Sequence, residues 1–332
     1  MFVRVWFTWC PGPAESAPAR GVGPRAQVQE QRIAMSDGEP GEASLHVAWR
    51  MAVADRAAGA YAPNRRLAVL AVAGSVGSSL ADRFSDLELD CYWHEPPGNR
   101  DRLAPIEVLG GQVEAFWEYD ADEEEWSEEY QIGALPVTVS NFTVSTVESW
   151  LDAVTLRADT EPVKHMRLAA IQRCRPLLGT ELAGAWRDRA DRYPDELVTA
   201  MMHQSLAPGA LPGWSAREAL ASRGDEIALH SLLVSVQRAV LGTVLAINRV
   251  YVPHRLAKWQ RHTLAGLAVT PARLADRLHA LVSAASAAQA LDQAEALLIE
   301  TVDLAEKRIG IDLAEFREIL SERREALDPP SL

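Results

Sequence analysis

The chain has 332 residues, 48% of them apolar and 24% charged, with a formal net charge of -13. Those proportions suit a globular protein too long for one hydrophobic core, so two folded domains are expected. An acidic chain without clustered Lys and Arg is not built to bind duplex nucleic acid by displacing counterions. No stretch approaches roughly 18 uninterrupted apolar residues, so a membrane is not expected as a partner.

Residues 1–34 mix Pro, Gly, Arg and Gln with neither structural period, and the opening MFVRVWFTWCPGPAES is too short, too aromatic and too quickly broken by Pro for a secretory signal. This stretch reads as a disordered or mis-started extension, with Met35 as an alternative initiator. Cys10, Cys91 and Cys174 lie far apart, which gives no CxxC metal site and no disulfide framework, and a reducing cytoplasm fits that usage.

Between residues 35 and 143 the pattern predicts a helix over 45–61 stopped by Pro63, a buried strand over 67–73, and a short helix over 78–83. A second strand follows over 87–94, then a helix over 100–109 closed by Gly110 and Gly111. Two more strands, 113–119 and 135–142, flank an acidic segment. From Val113 to Glu129 that segment carries nine acids and no base, and a solvated hairpin loop explains it better than a lure for a polycation. The elements imply a small mixed sheet with helices on one side.

From Thr143 the spacing turns helical, with Thr143 or Ser145 as the first cap. Six or seven antiparallel helices over 144–325 form a bundle, one of them the long apolar EIALHSLLVSVQRAVLGTVLAINRVY. The expected fold class is α+β, a sheet domain followed by a helical bundle.

The chemistry concentrates in LAVLAVAGSVGSSLADRFSDLELDCYW, from Leu67 to Trp93. Side chains at i and i+2 on a strand share a face, so Asp86 and Glu88 project together and Asp90 follows. Like charges so placed repel, and a divalent cation between them resolves the conflict; oxygen-only ligands suit Mg²⁺. Upstream, Gly74 lets the backbone approach a ligand, Ser75 offers a hydroxyl, and a following helix would present N–H groups to anionic oxygens. The loop is neither a Walker nor a Rossmann sequence, and the absence of G-x-S-x-G argues against a serine nucleophile. The alternative reading of the three acids is an edge strand that uses charge to prevent pairing.

Gly74-Ser75 followed by Ser85-Asp86-Leu87-Glu88-Leu89 resembles the G-S…(S)D-x-[DE] signature of the DNA polymerase beta-like nucleotidyltransferase superfamily, in particular its small bacterial, antibiotic-modifying branch. The likeness covers residues 65–145, with a weaker one at LAINRVYVPHRLAKW, Leu245 to Trp259. It implies transfer of a nucleoside monophosphate from an NTP, expected to be ATP, to a hydroxyl of a small, aminoglycoside-like molecule. Asp86 and Glu88 would be the catalytic, Mg²⁺-binding pair, and Gly74, Ser75, Ser85 and Lys258 would hold the nucleotide.

One position departs from the pattern. The later strand, Pro136 to Ser140, has Thr138 where the superfamily carries a third carboxylate. Asp90 or an acid of 123–129 could substitute, an acid of the helical region could act as base, or the protein could bind nucleotide without efficient transfer. Transfer of AMP to a protein partner is a further alternative.

Flanking the long helix, Arg223, Asp225, Tyr251, Lys258 and Trp259 could face a cleft, but a cap at Asp225 and a Trp259 packed between helices is the plainer reading. His94 and His230 read as structural, since neither has a partner at ligand spacing.

Overall fold

The computed structural model describes residues 42–254 and 257–327, so the expectations for residues 1–34 and Met35 lie outside the described residues. Helix α1 (Glu42–Tyr61) leads into β1 (Leu67–Val72), a single helical turn α2 (Gly74–Gly77), β2 (Leu87–Trp93) and α3 (Asn99–Leu109). Then come β3 (Gln112–Asp120), β4 (Glu125–Ile132) and β5 (Leu135–Thr143). These strands, with β6 (Arg175–Leu178), form a six-stranded mixed sheet in the order β3-β4-β5-β2-β1-β6. Only β2 and β5 pair in parallel. The fold class is α+β, with the mixed sheet followed by a helical region.

The alternation of β2 decides how the layers form. Leu87, Leu89, Cys91 and Trp93 point to one face, where they pack with Val137, Val139 and Tyr130 beneath α1 and α3. Glu88, Asp90 and Tyr92 point to the other. There Tyr92 and Phe142 join a core that continues through α4 (Val144–Arg157), α5 (Pro162–Arg173) and α6 (Thr180–Ala190). Helices therefore cover both faces of the sheet, not one. The same apolar cluster extends into α7 (Asp195–Ser205), α8 (Arg217–Arg223), α9 (Glu226–Ile247), α10 (Gln260–Ala265), α11 (Leu274–Ser283), α12 (Ala287–Ile309) and α13 (Ala314–Ser321).

Three local expectations are corrected. The short helix forms at Gly74–Gly77, not over 78–83, where Ser79 takes a left-handed φ of 61° and the chain turns instead. The acidic stretch 113–129, expected as a solvated hairpin loop, is an antiparallel hairpin of β3 and β4, and its second arm is an inner strand of the sheet. Two of its three acids, Glu125 and Glu128, are buried because each meets an arginine. Glu128 is fully buried against Arg102 of α3, whose Nε donates to its carboxylate at 2.7 Å, and Glu125 on the opposite face accepts from Arg167 of α5 at 2.8 Å. Finally, α5 ends at Arg173, and Arg175–Leu178 adds an edge strand to β1 within the stretch 144–325 that was expected to be a helical bundle. Pro176 is tolerated there because an edge strand leaves one side unpaired.

The cap on α4 is as expected, with Thr143 accepting from the Thr146 N–H at 3.1 Å. α9 is by length and hydropathy long enough to cross a bilayer, although its inner face, including Leu232, Val236 and Val240, is core.

The Arg102–Glu128 pair generates a stability prediction. An uncompensated buried carboxylate is costly, so Arg102→Met should lower unfolding free energy by about 3–5 kcal/mol. Arg102→Met combined with Glu128→Gln should recover part of that loss, as read by urea denaturation of the single and double variants.

Candidate functional site

β1 and β2 run antiparallel with Val72 opposite Leu89, so the end of β1 is level with the start of β2. The Ala73 N–H donates to the Glu88 carbonyl at 2.9 Å, which draws Gly74 over the Glu88 side chain. Gly74 has φ +57°, and a Cβ there would lie 2.1 Å from one Glu88 carboxylate oxygen and 2.8 Å from the other. Two requirements thus select glycine at 74: a left-handed backbone, and room for a carboxylate against the Cα. Gly77 is likewise bare because a Cβ would meet the Val72 carbonyl at 2.5 Å.

Asp86 lies just before β2, and several elements converge on it. Burial lifts its carboxyl above the usual range, while the charges of Lys258 and Arg50 and a hydrogen bond from the Thr138 hydroxyl pull it back. Arg50, buried on α1, donates through Nε to the Ser85 carbonyl at 3.0 Å and so anchors the residue beside Asp86. Burial pushes the Glu88 carboxyl up to about 7, helped by the like charges of Asp86 and Asp90 and opposed by Lys258 and Arg167. Asp90 is driven by burial to about 6, opposed by Arg167 and by a 3.1 Å hydrogen bond from the Tyr92 hydroxyl. Arg167 spans Asp90, Glu125 and the ring of Phe142, over which its guanidinium lies at 4.6 Å.

The structure therefore brings Gly74, Asp86, Glu88 and Lys258 into one region. Ser75 belongs to the same turn, its carbonyl accepting from the Leu80 N–H at 2.7 Å. The Ser85 hydroxyl is engaged elsewhere: it accepts from the Asp82 N–H at 3.0 Å and donates to the Asp82 carboxylate at 3.1 Å. Helix α2 has only four residues, too short for the dipole expected of a full helix.

Thr138 occupies the position directly beside Glu88 on β5. On its other side, in β4, stands Glu129. Registered neighbours share a face, so Glu88, Thr138 and Glu129 form a row across three strands, and the Glu129 carboxyl is raised by burial and by the charges of Glu114 and Asp86. Glu129 is one of the acids of 123–129 that the sequence offered as a substitute, and register singles it out. Arg50 was missed, because it sits in an ordinary helix with no motif around it.

The donor set suits a hard divalent cation: carboxylates on adjoining positions, a hydroxyl between strands, and a bare Cα beside one carboxylate. Among the described residues no group of three or more His, Cys, Asp and Glu is arranged to hold a metal ion. Around the long helix, Tyr251 is buried and its hydroxyl donates to the Ala190 carbonyl at 2.9 Å. Asp225 sits at the N-cap of α9 without a side-chain capping bond, and Trp259 is left-handed and 43% exposed instead of packed between helices. His230 is exposed and bonds only its own helix, at the Glu226 carbonyl, and His94 is exposed at the end of β2.

Residues 162–260 match a family described as a domain of unknown function, DUF4037. A search of curated proteins finds no match. Among solved structures, the chain is similar to a nucleotidyltransferase-like protein from Exiguobacterium sibiricum 255-15, with 14% identity over 77% of this chain and 78% of that one and a TM-score of 0.38.

Two outcomes follow from this geometry. Gly74→Ala should cost about 2 kcal/mol or more, from the left-handed backbone and the displaced carboxylate together, as measured by urea denaturation. The pH dependence has a defined sign. With Glu88 near 7 when folded against 4.5 ordinarily, the folded state binds more protons across that window, so stability falls as pH rises through about 7. Glu88→Gln should flatten that slope and be more stable than wild type at pH above 7, leaving the smaller contribution of Asp90.

Proposed function

We propose that this chain is a Mg²⁺-dependent nucleotidyltransferase that moves a nucleoside monophosphate from an NTP to a hydroxyl of a small molecule. The observation that carries the reading is the seating of the Glu88 carboxylate on the bare Cα of Gly74, with Asp86 beside it. A glycine-serine turn meant for phosphates and a carboxylate pair meant for a cation are held together by one backbone hydrogen bond.

In this reading Asp86 and Glu88 hold the cation, Gly74 and Ser75 receive the triphosphate, and Lys258 offers a positive charge to the phosphates. Mg²⁺ bound there would neutralise charge on the nucleotide's phosphates. The acceptor hydroxyl gives its proton to Glu129, and its oxygen forms a bond to the α-phosphorus. The bond from that phosphorus to the bridging oxygen breaks and pyrophosphate leaves. Glu129 is the acid best placed to compensate for Thr138, because it flanks Thr138 and Asp90 is already committed to Arg167 and Tyr92. Ser85 acts by positioning Asp86. The cytoplasm is the expected setting, ATP the expected donor, and an amino sugar the expected acceptor.

Thr138 also favours a second reading, a nucleotide-binding module without efficient transfer, since a hydroxyl is a poorer ligand and base than a carboxylate. Calorimetry with the four NTPs, with and without Mg²⁺, separates binding from chemistry. Asp86→Asn should weaken Mg²⁺-dependent binding by about tenfold or more, and Glu129→Gln should leave binding intact while reducing label transfer from α-labelled ATP to an aminoglycoside panel by about a hundredfold. Binding without transfer in wild type supports the second reading; label on a protein acceptor indicates AMP transfer to a partner; unchanged binding in Asp86→Asn contradicts the site.

A further inference from the structure

The turn that carries Gly74 and Ser75 is held from outside its own segment. Arg175 on β6 stands opposite Val72, the last residue of β1, and its half-buried side chain reaches the residues that follow that strand. Its Nε donates to the Gly77 carbonyl at 3.3 Å, and its Nη2 donates to the Ser79 hydroxyl. These acceptors lie 98 and 96 residues earlier in the chain. One planar guanidinium therefore spans the second half of the bend.

The turn needs such a hold. α2 is a single turn of four residues, too short for helical hydrogen bonds to fix its shape. The carbonyls of Gly74, Ser75 and Val76 accept from the N–H groups of Ser78, Leu80 and Ser79, whereas the Gly77 carbonyl accepts from Arg175. Ser79 has φ 61°, a left-handed conformation that a residue with a Cβ keeps only where its surroundings impose it. Gly77 presses on the same junction, because a Cβ there would meet the Arg173 carbonyl at 3.6 Å as well as the Val72 carbonyl. An arginine that served only to pin an edge strand would bond β1. Both side-chain bonds of Arg175 go to the turn instead.

We propose that Arg175 is a positioning residue for the triphosphate: by clamping Gly77 and Ser79 it holds turn 74–79 in the shape that receives the phosphates. The proposal rests on the nucleotide reading and extends it, since it makes the geometry of the phosphate turn depend on β6 and not on β1 and β2 alone. Losing the clamp should open the turn without disturbing the strands beneath it.

Hydrogen exchange and calorimetry with Mg-ATP, both on the full chain, test it. In Arg175→Met the amides of residues 77–80 should exchange about tenfold or more faster, while those of β1 and β2 keep wild-type rates. Mg-ATP affinity should fall by about tenfold or more. Arg175→Lys keeps the stem and the charge but cannot bond both acceptors as a fork, so it should recover part of both properties together. With a wild type that binds Mg-ATP, unchanged exchange at 77–80 or unchanged affinity in Arg175→Met overturns the proposal and leaves the nucleotide reading standing. Fast exchange that spreads through β1 overturns it too, by showing a general role in the edge strand. So does an Arg175→Lys variant that regains full affinity while the turn stays open, since charge alone would then suffice. A wild type that binds no Mg-ATP contradicts the nucleotide reading itself and ends the proposal with it.

Discussion

Three carboxylates two residues apart, one just before β2 and two on one of its faces, impose the constraint around which this structure is arranged. Asp86, Glu88 and Asp90 repel one another, and burial magnifies the repulsion by removing the water that would screen it. Each is answered differently. Asp90, the deepest, is held by Arg167 and the Tyr92 hydroxyl. Asp86 is met by the Thr138 hydroxyl and the charges of Arg50 and Lys258. Glu88 receives the charges of Lys258 and Arg167 but, among the described residues, no hydrogen bond to its carboxylate, and burial pushes it up to about 7. The least compensated carboxylate is thus the one lying against Gly74.

The same strand connects this electrostatic problem to the fold. Its other face, Leu87, Leu89, Cys91 and Trp93, is wholly apolar and locks the sheet to α1 and α3. Arg50 reaches from α1 to the Ser85 carbonyl, so the packing of one face sets the position of an acid on the other. Arg167 does the equivalent from α5, joining the helical region to the floor of the site through Glu125 and Asp90. The acidic β4 strand is tolerated inside a sheet because Arg102 and Arg167 meet its buried glutamates from opposite sides. Buried pairs of this kind do little for net stability but are costly to break, which favours one register over its neighbours.

Much of the architecture was legible from period and punctuation. The apolar run of β1, the two-residue repeat of β2, the glycine stop after α3 and the helical spacing beyond Thr143 are local signals, and each produced an element where expected. The failures have a common cause. β4 carries the composition of a loop, and only tertiary partners distant in sequence, Arg102 and Arg167, make it a strand. The turn at 78–83 depends on a left-handed Ser79 and the Arg50 clasp, neither of which has a periodic signature. In the site, the acids were readable because i, i+2 spacing is intrinsic to a strand, whereas Glu129 is singled out from the acids of 123–129 only through its register with Thr138.

The central claim is that Asp86 and Glu88 are kept close, against their mutual repulsion, to share a divalent cation with a nucleotide lying on the Gly74 turn. Anomalous diffraction at the manganese edge, from crystals grown with Mn²⁺ and a non-hydrolysable ATP analogue, tests it most directly. The account predicts an anomalous peak between the two carboxylates, bonded to oxygens of both at about 2.0–2.3 Å and to a phosphate oxygen. A nucleotide seated elsewhere, or a manganese peak that omits both carboxylates, would contradict it.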